Sequence, residues 1–111
     1  MSYFMEKSFD NFHMTAENYE AAQRAIATIT DKYILDTANA WVITPETDGS
    51  VREIEFNGNR YSEDINFFVV IAPYVTSNSV IELEGEDGEH WYYLFKDGEV
   101  KEYSGEFEDY E

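Results

Sequence analysis

SVIELEGEDGEHWYYLFKDGEVKEY, residues 79–103, is the stretch from which the fold of this chain is read. Ser79 to Glu84 alternates, with Ile81 and Leu83 on one side and Val80, Glu82 and Glu84 on the other. Successive side chains of a strand point to opposite faces, so the pattern predicts a strand with its apolar pair inward and its carboxylates outward. Gly85, Glu86, Asp87 and Gly88 then supply a turn. From Glu89 to Phe95 the alternation resumes, Trp91, Tyr93 and Phe95 sharing one face and His90, Tyr92 and Leu94 the other. Asp97–Gly98 is a strong hairpin signal, and Val100 to Tyr103 returns. The C-terminal third therefore reads as an antiparallel meander.

Upstream, Tyr3 to Met14 mixes Phe4, Phe9, Phe12 and Met14 with polar residues in an alternation that slips once, as a strand with a bulge would make it do. Thr15 is a good N-cap, with Glu17 in the first turn, where the helix dipole favours an anion. Tyr19, Ala22, Ile26, Ile29 and Tyr33 follow at helical spacing, which predicts a helix over 16–33. Strands are expected at Ala40–Thr44 and Val51–Phe56, separated by turn chemistry from Pro45 to Gly49. Ser62 reads as the cap of a second helix, with Glu63 and Asp64 in its first turn and Ile65, Phe68, Val69 and Ala72 on its buried side. The β-branched and aromatic run Phe67–Ile71 leaves a buried strand as the rival reading.

The order β-α-β-β-α-β-β, closed by the returning strand, predicts an α+β domain of two layers, an antiparallel sheet with two helices on one face. The specific expectation is a ferredoxin-like, split βαβ variant ending in the meander. Residues 1–104 form one domain and 105–111 an acidic tail carrying Phe107 and Tyr110.

Ile71-Ala72-Pro73-Tyr74-Val75, Ile81-Glu82, Gly85 to Gly88, Trp91, Tyr93, Phe95 and Asp97–Gly98 together resemble the C-terminal half of small phage- and mobile-element-type bacterial proteins of unassigned activity. The resemblance covers roughly thirty residues, contains no catalytic motif, and implies a mobile-element neighbourhood and the meander above. The tail after Tyr103 is heavier in carboxylates than that pattern requires. In charge, size and lack of cysteine the chain also looks like the acidic DNA-mimic inhibitors that phages direct against host nucleases, of anti-CRISPR or anti-restriction type.

Charge is the strongest functional signal. The formal net charge is −17, from 24 Asp and Glu against 7 Lys and Arg in 111 residues. Glu82 to Glu111 holds the densest share, with Lys96 and Lys101 as its only cations. Such a charge works against compaction, so a basic partner is one reason for a domain to carry it. It argues against direct contact with nucleic acid or an anionic membrane surface. Aromatic residues make up 17% of the chain, which separates it from disordered acidic segments. Cysteine is absent, excluding disulfides and thiolate metal sites. The start lacks a basic and an apolar leader region and no apolar run reaches membrane-spanning length, so the expected location is the cytoplasm of a bacterial host.

Chemistry-bearing motifs are few. Glu84 to Glu89 lacks the ligand spacing of an EF-hand loop, and His13 and His90 sit in no triad, HExxH or phosphate-loop context. Paired carboxylates are uninformative among so many. No enzyme activity, metal or cofactor is expected. The candidate partner-binding residues are Glu82, Glu84, Glu86, Asp87, Glu89, Glu99, Glu102, Glu106, Glu108 and Asp109. Duplex DNA presents a charge about every 3.4 Å along each strand, and same-face residues of a β-strand recur about every 6.6 Å, so a few adjacent strands approach a phosphate-like density. The expected partner is a basic protein surface that ordinarily holds nucleic acid. An immunity protein or antitoxin neutralising a basic toxin would use the same residues. Tyr92, Tyr103, Phe107 and Tyr110 are interface material if exposed, the last two for a partner or a second copy of the chain. A structural domain without a specific partner is the third reading.

Overall fold

A computed structural model describes residues 4–57 and 64–106. Its elements are β1 (Met5–Asn11), α1 (Ala16–Ala27), α2 (Lys32–Ala40), β2 (Trp41–Ile43), β3 (Ile54–Phe56), α3 (Asp64–Ile71), a single 3-10 turn (Ala72–Tyr74), β4 (Ser79–Gly85), β5 (His90–Lys96) and β6 (Glu99–Ser104). Strands β1, β4, β5 and β6 form one sheet in that order, each pair antiparallel, and β2 and β3 form a separate antiparallel pair.

The meander stands where its alternation placed it. Asp97 and Gly98 both adopt positive φ, 52° and 80°, the backbone a two-residue hairpin of matching twist requires. The slip in the first strand is a bulge: Lys7 pairs with Leu83 and Phe9 with Glu82, leaving Ser8 as the extra residue. The bulge switches parity. Lys7 lies on the inner face, where its Nζ pairs with Asp10 and donates to the Ile54 carbonyl at 2.7 Å, while Phe9 lies on the outer face.

The inner face is where the core sits. Ile81, Leu83, Tyr93 and Phe95 are essentially inaccessible and pack with Phe67, Phe68 and Ile71 of α3. Phe68 is the hub: its ring centroid lies 4.8 Å from Tyr93, 5.1 Å from Trp41 and 5.7 Å from Phe95, all edge-on. Edge-to-face contacts of this kind add to the burial of apolar area. Ala22 of α1, with Ile34 and Ala38 of α2, joins the same cluster, so all three helices lie on the inner side.

Four expectations are corrected. The helix expected over 16–33 is two helices. Thr28 turns its hydroxyl to the Ala25 carbonyl at 2.7 Å, and Asp31 caps a new helix by accepting from the Tyr33 and Ile34 amides. Thr28, Ile29 and Thr30 are β-branched and hold a helix poorly, whereas Asp31 is a strong N-cap. Tyr33, the last residue of the apolar spacing, is 83% exposed. In α3, confirmed as a helix, the buried residues are Asp64, Phe67, Phe68 and Ile71, and Val69 is 58% exposed. The indole N–H of Trp41 donates to Asp64 Oδ1 at 3.0 Å and fixes the rotation of the helix. The expected cap Ser62 lies outside the described residues. The strand expected from Val51 starts at Ile54, with Val51 held instead by a bridge to Met14. Finally, the split βαβ order is not formed: β2 follows α2 directly and pairs only with β3, and no parallel pair occurs among the described strands.

Phe68→Ala should therefore lower stability by about 3–5 kcal/mol, the usual cost of emptying a ring-sized core site. Urea unfolding measures it, and a loss near 1 kcal/mol would remove Phe68 from the centre of the core.

Candidate functional site

The opposite, outward face of the sheet carries the functional candidates, and no helix lies against it among the described residues. Directly paired residues share a face, so the registers give its rows. One row runs Phe9, Glu82, Tyr92, Tyr103, and the next Glu6, Glu84, His90. A third runs Asn11, Val80, Leu94, Lys101. Tyr92 and Tyr103 stack, centroids 5.1 Å apart and planes 17° from parallel. Phe9 is 44% and Tyr103 39% exposed.

The second row gathers the acid. His90 places Nδ1 3.5 Å from Glu82 Oε1, and Nε2 3.6 Å from Glu106 Oε1 and 3.9 Å from Glu84 Oε2. The Gly105 amide donates to the His90 carbonyl at 2.8 Å, which brings the segment after β6 back to this corner. The β4–β5 turn adds Glu86, Asp87 and Glu89, all exposed. Asp87 Oδ1 accepts the Glu89 amide at 3.1 Å, and Glu86 Oε1 accepts the Phe4 amide at 3.2 Å, so one bond within the turn and one to the residue before β1 hold it. Glu6, Glu84, Glu86, Asp87, Glu89 and Glu106 thus crowd one end of the sheet. The cations of these strands lie elsewhere: Lys7 faces inward, and Lys96 and Lys101 sit toward the Asp97–Gly98 end. An open depression of about 580 Å³ lined by Phe4, Met5, Glu6, Phe56, Glu84, Gly85 and Glu86 borders the acidic end.

The predicted residues divide accordingly. Glu84, Glu86, Asp87, Glu89 and Glu106 come together. Glu82 belongs to the same face but is only 8% exposed, its Oε1 accepting the Ser8 hydroxyl at 2.7 Å. Glu99 lies at the far end beside Lys96. Glu102 pairs with Tyr93 and so belongs to the inner side, where it hydrogen-bonds the Tyr93 hydroxyl. Glu108 and Asp109, with Phe107 and Tyr110, lie outside the described residues. Glu6 and Ser8 were missed, because only the β1–β4 register, bulge included, brings them here. The carboxylates around His90 come from β4 and from the segment after β6, so no local sequence signal groups them with it.

Among the described residues no group of three or more His, Asp or Glu side chains is arranged to hold a metal ion. No described helix is long and apolar enough to cross a membrane. Compared with protein-family models, curated proteins and solved structures, the chain matches none.

Burial pushes the Tyr93 hydroxyl well above the ordinary phenol range, and the Asp64 charge and the Glu102 hydrogen bond push it further. A raised folded-state value means that this contribution to stability is complete below the unfolded value of about 10 and is lost as pH rises beyond it. Alkaline titration at 295 nm should give wild type and Tyr93→Phe the same phenolate amplitude below the unfolding transition. An additional ionising tyrosine in wild type there would place Tyr93 in solvent.

Proposed function

We propose that this chain is a non-catalytic, acidic binding protein whose outward sheet face occupies the nucleic-acid-binding surface of a basic host protein. The reading is of a phage or mobile-element inhibitor of anti-restriction or anti-CRISPR kind, acting stoichiometrically in the bacterial cytoplasm and without a cofactor. One observation carries it: Glu6, Glu84, Glu86, Asp87, Glu89 and Glu106 converge on one end of the sheet while the cations of the same strands point or lie elsewhere. Neighbouring strands lie about 4.8 Å apart and same-face residues about 6.6 Å apart, so this end displays carboxylates at intervals comparable to those of a phosphate backbone. A basic groove that accepts such a surface releases its counterions as it would on binding DNA, which makes the association salt-dependent.

The hydrogen-bonded turn favours this over a merely solvating charge run. Solvation requires no defined geometry, whereas Asp87 accepts the Glu89 amide and Glu86 the Phe4 amide, which ties the turn to itself and to the residue before β1. A neutraliser of a basic toxin is the second reading, favoured by the aromatic row beside the acid, because tyrosine beside carboxylate suits a protein partner. Displacement of the partner by nucleic acid separates the two.

The test is charge reversal. Glu84, Glu86, Glu89 and Glu106, all changed to Lys, should weaken capture of the partner from bacterial lysate by about 3 kcal/mol, roughly a hundredfold in Kd, with folding intact by circular dichroism. A control reversing the exposed Glu20, Asp36, Glu46 and Glu53 should keep the specific partner. Equal loss in both variants would reduce the effect to overall charge, and no loss in the first would remove the sheet end from the interface.

A further inference from the structure

The outward face joins two features usually separated on a protein surface, a stacked tyrosine pair at the edge of a sheet and carboxylates in the adjoining row. Tyr103 belongs to β6, the edge strand, and Tyr92 to its inner neighbour β5. The rings lie nearly parallel, so one face of Tyr103 is turned to Tyr92 and the other looks away past the sheet edge. Tyr103 is 39% exposed. About 6.6 Å along the strands lies the row of Glu84 and His90, with Glu106 beside the His90 ring.

We infer that the Tyr92–Tyr103 stack, with Glu106 in the adjoining row, is a grip for arginine side chains, so that the partner's docking surface is arginine-bearing rather than merely cationic. The inference rests on the proposed docking face and names the partner chemistry that face selects. A guanidinium is planar and weakly hydrated; it lies flat on an aromatic face while its edge donates in parallel to a carboxylate. An ammonium is a compact, strongly hydrated point charge that gains little from the ring. Acid alone attracts both cations through their charge, whereas an exposed tyrosine face next to it adds a contact that favours the guanidinium. Arginine is also the cation most used to bind phosphates and bases, which fits a surface that ordinarily holds nucleic acid.

The probes are octa-arginine and octa-lysine peptides of equal charge, with Kd measured by fluorescence anisotropy at fixed ionic strength on the full chain. Wild type should bind octa-arginine about five- to tenfold more tightly than octa-lysine. Tyr103→Leu should bring octa-arginine down to the octa-lysine value and leave octa-lysine unchanged, while Tyr103→Phe, which keeps the ring, should retain the preference. Tyr92→Leu gives an independent removal of the stack should Tyr103→Leu fail to fold, as judged by circular dichroism. Equal, salt-dependent affinity of wild type for both peptides overturns the arginine grip while leaving the acidic docking face standing. A preference that survives loss of either ring overturns the assignment to the stack. Binding of neither peptide overturns the grip together with the reading beneath it.

Discussion

The period of two in β4, β5 and β6 is the constraint on which the structure depends. It sends Ile81, Leu83, Trp91, Tyr93 and Phe95 to one side of the sheet and Glu82, Glu84, His90 and Tyr92 to the other. A one-residue slip would bury the acids and expose the aromatics, so the same parity that builds the core also builds the acidic face. The bulge at Ser8 extends the arrangement into β1 by changing its parity mid-strand, giving Lys7 to the inner face and Phe9 to the outer. With a net charge of −17, the chain folds against its own repulsion. The packing of α3 against the sheet, centred on Phe68 and the rings around it, provides the apolar burial that opposes that repulsion.

The two faces divide the work unevenly. Three carboxylates are engaged by other side chains instead: Glu102 by Tyr93, Glu82 by Ser8 and Asp64 by Trp41. Glu6, Glu84, Glu86, Asp87, Glu89 and Glu106 concentrate at the β4–β5 turn and beside His90. That is the arrangement expected if one end of the sheet meets a basic surface and the rest of the molecule only has to hold it there. On that proposal the aromatic row beside it would add contact area at little conformational cost, as rigid rings do at interfaces.

Much of this was legible in the sequence, and the gaps have physical causes. The meander and the bulge were legible because alternation is a local signal and a slipped alternation marks a bulge directly. The break between α1 and α2 was not, because the apolar spacing continues through Thr28–Asp31 and masks a competing cap at Asp31. The rotation of α3 was hidden by its nearly continuous apolar sequence, which offers no polar face to set the phase, whereas the Trp41–Asp64 bond helps to set it in the fold. Of the candidate site, the turn acids were readable from the alternation and the glycines. The inward place of Glu102, the burial of Glu82 and the membership of Glu6 all depend on strand register, which is a tertiary property.

The central claim is that the acidic end of the sheet takes the place of nucleic acid on its partner. The most direct measurement captures the partner from bacterial lysate on the immobilised full chain at roughly 50 mM and then roughly 300 mM salt, followed by elution with duplex DNA. The account predicts a specific nucleic-acid-binding protein that survives the higher salt and is released by the duplex. Only a diffuse set of basic proteins, all lost at the higher salt, or a specific partner that DNA cannot displace, would contradict it.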